Sequence, residues 1–297
     1  GLLDESAGEP VARAVLVVAP AGLGKSRLRY EFLRRVRARD ESVEVWLGRG
    51  DPMAVGSPFG MIGGALRRAA GVLEGEPPAV RARKLRARVG RHLPAGEIGR
   101  VAEFLGELVG VPVDGEGSRE LKAARADLML LGDQMCRAWD DFLAAECDAR
   151  PVLLVLDDLH WGDLPTVKLV EDSLRNLRDK AFMVVALARP EVDELFPKLW
   201  AARSPTLMPL AELTKRASSE LVRGVLGDEA TDEAVERVVE RAGGNAFYLE
   251  ELVRAVAAGK GGRLPETILA MVEVLLESLE PQARQLLRAA SLFGQVF

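Results

Sequence analysis

The fold of this chain is decided by the stretch Ala19-Pro20-Ala21-Gly22-Leu23-Gly24-Lys25-Ser26. It follows an apolar run at 14–18 that predicts a strand, and it opens an amphipathic pattern that predicts a helix toward Arg39. A glycine-rich loop in this setting is typical of a P-loop, because N–H groups of the loop and of the helix N-terminus can then point at phosphates. A chance glycine-rich turn is the alternative, and the strand–loop–helix context favours phosphate binding over it.

The residues of this loop have separate predicted roles. Gly22 and Gly24 permit a tight backbone and a close approach to phosphates, and Lys25 supplies a positive charge for the β- and γ-phosphates. Ser26 offers its hydroxyl to Mg²⁺. Ala19 stands where the pattern usually has a glycine, which requires that its φ be negative. The predicted nucleotide-binding segment is Ala21, Gly22, Leu23, Gly24, Lys25, Ser26 and Arg27.

A pair of acids ends a second apolar run, Pro151 to Leu156, and forms the other half of the predicted site. Ligands of open parallel sheets bind beyond the carboxyl ends of the strands, so Asp157 and Asp158 are expected at the same edge as the P-loop. Asp157 is predicted to hold Mg²⁺ through water or through Ser26, and Asp158 to orient or polarise the attacking water. A helix cap or turn made by the two acids would be the preferred interpretation only without the P-loop.

The first part of the chain is predicted to be an α/β domain. Apolar runs at 14–18, 43–47, 152–156, 181–187 and, more weakly, 206–210 alternate with helical patterns. Such alternation predicts a parallel sheet with helices on both faces, as in P-loop NTPases. We place this domain at 1–210, with a helical insertion at about 58–149.

The remainder of the chain is predicted to be helical. Patterns at 211–226, 231–242 and 246–258 form a helical lid domain at 211–262, in which Thr231 is a helix cap and Gly243 a helix stop. A glycine-rich stretch at 259–262 then precedes further helical patterns at 266–279 and 281–291.

Composition excludes several classes of protein. With 48% apolar and 29% charged residues, the 297-residue chain is expected to be globular rather than disordered. No apolar run approaches the ~20 residues that span a bilayer, and the acidic start does not resemble a signal peptide. We therefore expect no membrane association and a cytoplasmic location. A net charge of −5 argues against direct nucleic-acid binding, and a local basic run at 81–91 is interpreted as a solvated helix face.

Together these motifs resemble the STAND class of AAA-type P-loop ATPases, which act in bacterial signal transduction. The resemblance runs from about 12 to 297 and depends on Ala21 to Leu28, on Leu156-Asp157-Asp158-Leu159-His160-Trp161-Gly162-Asp163, on 188–191 and on the stretch 243–252. The sequence at 9–17 and 49–53 most resembles ATPase regions that are linked to serine/threonine kinases. LuxR-type regulators are also similar. No kinase loop occurs in this chain.

The resemblance implies further roles. Arg189 resembles the sensor arginine that reads the γ-phosphate, with a surface salt bridge as the alternative. His160 and Trp161 are expected either to couple nucleotide state to the next helix or simply to pack at the turn. In the lid motif Ala246 replaces the usual proline, and residues 263–297 resemble the start of a winged-helix domain. The family's base-contacting segment would lie upstream of Gly1, so ATP is expected from the resemblance and not from a base-contacting residue of this sequence.

These observations lead to a first hypothesis, a slowly hydrolysing regulatory switch that binds ATP or ADP with Mg²⁺. Its partners would be the flanking effector and sensor domains of a larger protein, and nucleotide-dependent self-association is a further expectation. The second hypothesis is a nucleotide-stabilised scaffold that hydrolyses nothing. A motor-like AAA ring is a weaker third, because no trans arginine finger or pore loop is recognisable.

Overall fold

A computed structural model describes residues 5–6, 8–39, 42–52, 57–111, 117–227, 230–257, 280, 282–283 and 285–287. The chain forms two compact units. The first contains residues 1–18 and 31–208, and the second contains residues 19–30 and 209–297. The predicted winged-helix start at 263–297 lies almost entirely outside the described residues.

A five-stranded sheet forms the centre of the first unit. Its strands are β1 (Arg13–Val18), β2 (Glu44–Arg49), β3 (Val152–Asp157), β4 (Phe182–Ala188) and β5 (Thr206–Pro209), in the spatial order β2-β3-β4-β1-β5. The pairs β1–β4, β2–β3 and β3–β4 are parallel. Every residue of β3 and β4 is buried, as expected for parallel strands that are covered on both faces. The predicted fold class is therefore confirmed.

Helices cover this sheet and fill the predicted insertion. Helix α1 (Lys25–Arg39) follows the glycine-rich loop. The insertion contains α2 (Gly60–Ala69), α3 (Pro78–Val89), α4 (Ile98–Val109), α5 (Arg119–Arg125) and α6 (Leu128–Ala149). After β3 come α7 (Leu164–Asn176) and the short α8 (Val192–Leu195). In the part of the chain that the structure describes, no helix is both long and apolar enough to cross a membrane.

A buried ion pair joins the helical insertion to the aromatic core. Arg88 donates to both carboxylate oxygens of Glu146, at 2.5 and 2.7 Å, and to Glu44 at 2.9 Å. Its guanidinium lies 5.8 Å from the ring of Trp46 and 5.4 Å from that of Phe142. Burial alone would lower the pKa of Arg88, but hydrogen bonds and charge attraction to the two glutamates raise it. The guanidinium is therefore held charged inside the core.

Replacing Arg88 by methionine should lower the free energy of unfolding by about 3–5 kcal/mol, because Glu146 would remain as an unpaired buried charge. Urea unfolding measures this change. The double variant Arg88→Met/Glu146→Leu is the control, and it should be clearly more stable than the single variant since it buries no charge. Equal stability of the two variants would contradict a buried, ionised Glu146.

Three helices form the described core of the second unit: α9 (Lys215–Leu226), α10 (Asp232–Ala242) and α11 (Ala246–Ala257). Their apolar faces meet around Val222, Val238, Leu249 and Leu252. Thr231 accepts a hydrogen bond from the N–H group of Ala234 and caps α10, as its sequence pattern predicts. The helix predicted to start at 211 begins at Lys215, because the Thr214 hydroxyl caps it by accepting from the Ala217 N–H group.

Candidate nucleotide-binding site

The glycine-rich loop has the backbone conformation that its sequence requires. Gly22 and Gly24 have φ values of 82° and 93°, a region that side chains disfavour. Ala19 does not have a positive φ, as its methyl group demands. The N–H group of Leu28 donates to the Gly24 carbonyl at 2.8 Å, so the loop leads directly into the first turn of α1. The segment thus has the strand–loop–helix form of a phosphate-binding loop.

Lys25 lies across this loop at the first position of α1. Its ammonium donates to the carbonyl oxygens of Ala19, at 2.5 Å, and Pro20, at 2.8 Å, and its side chain is buried. The side chains of Ser26 and Arg27 are exposed beside it, and the Arg27 guanidinium lies 5.7 Å from the ring of Tyr30. The loop therefore offers one ammonium and one hydroxyl next to backbone N–H groups.

The start of α11 contacts the loop within the second unit. The Phe247 N–H group donates to the Gly22 carbonyl at 2.9 Å. A Cβ atom at Gly22 would come within 2.6 Å of the Asn245 side-chain nitrogen, so only glycine fits there. Asn245 also accepts from the Tyr248 N–H group at 3.0 Å and so caps α11. The sequence placed Asn245 in a lid motif but did not indicate that it packs on the loop.

The two acids end β3 in the first unit. Asp157 is the last residue of the strand and is buried, whereas Asp158 is half-buried and adopts the left-handed conformation, with φ 55° and ψ 46°. The Nε atom of Arg49 lies 3.9 Å from a carboxylate oxygen of Asp157 and 4.0 Å from one of Asp158. Left-handed backbone at a non-glycine residue is uncommon and clusters at functional sites. Asparagine and aspartate tolerate it best.

Gly50 supports this turn. Its N–H group donates to the Asp157 carbonyl at 2.8 Å, and a Cβ atom at Gly50 would overlap the Asp158 carbonyl oxygen. Arg49, which precedes it, lies opposite Asp157 in the β2–β3 register. Neither Arg49 nor Gly50 was among the predicted site residues, because their role depends on the pairing of two strands that are distant in sequence.

Asp163, the last residue of the motif that begins at Leu156, holds the following turn in place. Its carboxylate accepts from the N–H groups of Phe59, Gly60 and Thr166 at 2.8, 3.1 and 2.7 Å, and from the Thr166 hydroxyl at 2.7 Å. It thereby caps α7 and attaches the turn after β3 to the start of α2. Its role in the first unit is to position the acidic turn.

Changing Asp163 to alanine should lower the free energy of unfolding by about 2–4 kcal/mol, because buried N–H groups would lose a charged acceptor. Asp163→Asn keeps one acceptor oxygen and should lose less. Thermal or urea unfolding of both variants tests this. If Asp163→Ala were as stable as wild type, the carboxylate would not hold the turn.

Arg189 follows β4 at the same edge of the sheet. Its N–H group donates to Nδ1 of His160 at 3.3 Å, and its guanidinium lies 5.2 Å from the ring of Trp161. Within the described residues its guanidinium forms no ion pair within 4.0 Å, so the predicted alternative of a surface salt bridge is not observed there. Through these two contacts His160 and Trp161 pack the turn after β3 against the end of β4.

Each unit, taken by itself, carries an oxygen group of the kind that Mg²⁺ binds. Mg²⁺ prefers oxygen ligands and is usually bound by one or two protein oxygens together with phosphates and water. The Ser26 hydroxyl and the Asp157 carboxylate are ligands of this kind. Among the described residues no group of three or more His, Cys, Asp or Glu could form an all-protein metal site, and such a site is not required here.

The sheet order, the loop after β1 and the acids after β3 define an α/β P-loop NTPase. The AAA ATPase domain family matches residues 2–185, more than half of the chain, and the chain belongs to this family. Proteins of this family bind ATP or ADP, usually with Mg²⁺. A search of curated proteins found no match.

Several solved AAA-type structures are similar. Orc1 of Aeropyrum pernix, solved in complex with DNA, is 14% identical to this chain, with a TM-score of 0.45. The match covers 95% of this chain and 66% of the Orc1 chain. Cdc6p of Pyrobaculum aerophilum is 12% identical with a TM-score of 0.48, covering 94% and 68%. The FIGL-1 AAA domain with ADP is 12% identical with a TM-score of 0.39, covering 94% and 77%. The chain thus spans about two thirds of the first two.

Proposed function

We propose that this chain binds ATP with Mg²⁺ and acts as a slowly hydrolysing regulatory switch within a larger protein. The observation that carries the proposal is the loop at Gly22–Gly24, whose two left-handed glycines lead into α1 with Lys25 at its first position. Fixed N–H groups at a helix N-terminus stabilise phosphate charge, and a lysine adds to this stabilisation.

Each polar residue has a role in this proposal. Lys25 stabilises the β- and γ-phosphates, while Ser26 and Asp157 hold Mg²⁺. Bound Mg²⁺ would neutralise charge that develops on the phosphates during hydrolysis. Asp158 orients the attacking water, and Arg189 senses the γ-phosphate. Arg49, whose Nε atom lies 3.9 Å from the Asp157 carboxylate and 4.0 Å from that of Asp158, helps to hold the two carboxylates in position.

The contact between the loop and α11 supports a switch. Nucleotide phosphates would bind to a loop that already contacts α11. The Asn245 side chain packs on Gly22, and the Phe247 N–H group donates to the Gly22 carbonyl. Nucleotide binding would therefore favour one arrangement of the loop and of the start of α11. A ligand changes a conformational equilibrium only through its differential affinity for the two states, and a γ-phosphate supplies such a difference.

The proposal also includes the class of ATPase, its partners and its location. On the motifs at 156–163 and 243–252 we propose that the chain belongs to the STAND ATPases of bacterial signal transduction, and on the stretches at 9–17 and 49–53 that it is related to their kinase-linked group. We propose flanking sensor and effector domains as partners, self-association that depends on nucleotide, and a cytoplasmic location. The chain itself would bind neither nucleic acid nor membrane.

A nucleotide-stabilised scaffold is the second candidate. Two sequence features favour it: Asp158 stands where many P-loop ATPases have a longer glutamate, and Ala246 replaces the usual proline of the lid motif. A scaffold would bind ADP tightly and release no phosphate.

Single-turnover phosphate release, together with equilibrium titrations of ATP and ADP, distinguishes the two candidates. The switch predicts slow but measurable release that depends on Mg²⁺, and different affinities or partner binding with ATP and ADP. The scaffold would be favoured if the wild-type chain released phosphate no faster than Lys25→Ala and bound its partner equally well in the presence of ATP and of ADP. Fast steady-state turnover without any partner would contradict the switch.

A further inference from the structure

Asn245, the residue that precedes α11, lies on the phosphate-binding loop of the same unit. A Cβ atom at Gly22 would come within 2.6 Å of the Asn245 Nδ2 atom and within 2.8 Å of its Oδ1 atom. Next along the chain, the Ala246 methyl group lies 3.7 Å from the position of a Cβ atom at Gly24. The Asn245 amide group is thus close to the loop that carries the two left-handed glycines.

The orientation of this amide group follows from the helix cap. Its Oδ1 atom accepts a hydrogen bond from the Tyr248 N–H group at 3.0 Å, and an N–H group can donate only to the oxygen of an amide. The backbone of Asn245 is bonded as well: its N–H group donates to the Ala242 carbonyl, and its carbonyl accepts from the Leu249 N–H group, both at 2.9 Å. The Nδ2 group is the donor that the start of α11 leaves unused.

The Nδ2 group of Asn245 carries two N–H donors that a ligand can reach. It donates to none of the residues that the structure describes, and its surface is accessible to solvent. Capping needs only the side-chain oxygen, and aspartate or serine would cap α11 as well as asparagine does. The amide therefore adds a donor beside the loop that the helix cap does not require.

The loop beside this donor has the form of an anion site. Successive N–H groups around left-handed residues make anion-binding concavities, and Gly22 and Gly24 have this conformation. Phosphate oxygens are charged acceptors, and hydrogen bonds to them are roughly twice as strong as those between neutral groups. We propose that Asn245 is a further phosphate ligand of the nucleotide site, whose Nδ2 group donates to a phosphate oxygen held by the loop. This inference rests on the proposed nucleotide site and adds a residue of the helical lid to it.

Two variants of Asn245 test the assignment by calorimetric titration of Mg·ATP into the whole chain. Asn245→Gly removes the donor but keeps most of the stability of the cap, and it should weaken binding by about 10-fold. Asn245→Asp keeps the cap but replaces the donor by a negative charge that repels phosphates, so it should weaken binding by at least about 100-fold. Its urea unfolding midpoint should be close to that of wild type, since aspartate and asparagine cap helices about equally well.

Thr231→Asp is the matched control for the added charge. Thr231 caps α10, which has 11 residues, so it lies about 16 Å along the helix axis from the end of α10 that leads to Asn245. This variant should bind Mg·ATP as wild type does. Wild-type affinity in a folded Asn245→Gly would overturn the assignment, because no hydrogen bond would have been lost. An Asn245→Asp that binds no more weakly than Asn245→Gly would also overturn it, because the side chain would then lie away from the phosphates.

The same titration of Lys25→Ala separates this inference from the proposed function. If Lys25→Ala loses affinity while both Asn245 variants bind as wild type, the loop binds the nucleotide and only the role of Asn245 is wrong. If Lys25→Ala binds as wild type, or if the wild-type chain does not bind Mg·ATP, the nucleotide site itself is contradicted and the role of Asn245 falls with it. The expected result is lower affinity in Lys25→Ala and in both Asn245 variants.

Discussion

Replacing Lys25 by alanine is expected to reduce the affinity for Mg·ATP by at least about 100-fold. The loss follows from two charge-assisted hydrogen bonds to phosphate oxygens, each of which contributes about 1.5–3 kcal/mol. The ammonium already lies across the loop, donating to the Ala19 and Pro20 carbonyls, so no other described group in the loop can supply this charge from the same position. Calorimetric titration of Mg·ATP measures the affinity.

Two further variants make this result specific. Lys25→Met keeps most of the buried stem of the side chain while removing the charge, so it separates loss of phosphate contact from loss of packing. Arg35→Ala removes an exposed charge from the same helix, away from the loop, and should bind as wild type. Wild-type affinity in a folded Lys25→Met would contradict the P-loop assignment.

The second large effect is expected at the acidic turn. Asp157→Asn should reduce the rate of phosphate release by at least about 100-fold, because an amide is a poor ligand for Mg²⁺ and the charge that fixes the metal is lost. The Mg²⁺ concentration needed for half-maximal release should rise at the same time. Single-turnover release across a Mg²⁺ titration measures both quantities.

Asp158→Asn separates the roles of the two acids. Asparagine tolerates the left-handed conformation at this position almost as well as aspartate, so the turn should be preserved. We expect slower release at an unchanged Mg²⁺ requirement, because the water-orienting carboxylate is lost while the metal ligand remains. Full activity in both Asp157→Asn and Asp158→Asn would show that this turn takes no part in hydrolysis.

Much of the fold could be predicted from sequence because its strongest features are local. Buried parallel strands appear as continuous apolar runs, and β3 was predicted at 152–156 against an observed Val152–Asp157. The loop at Gly22–Gly24 was recognisable because it needs left-handed residues between a strand and a helix. Helix α9 was predicted four residues too early, since the apolar pattern at 210–213 outweighed the capping residue Thr214.

What the sequence could not supply depends on contacts between distant segments. The proximity of Arg49 to the two acids follows from the β2–β3 register, and the packing of Asn245 on Gly22 joins the start of α11 to the loop. The left-handed backbone of Asp158 lies in the turn after β3, where its carbonyl oxygen approaches Gly50, a residue distant in sequence. Such features depend on tertiary contacts, which one-dimensional patterns do not encode.

The most direct test of the central claim is a calorimetric titration of ATP into the wild-type chain, once with excess Mg²⁺ and once with a chelator. The proposed site predicts saturable binding at one site per chain, tighter with Mg²⁺ than without it. Absence of saturable binding to the folded chain under either condition would contradict the assignment of the loop at Gly22–Gly24 as a nucleotide-binding site.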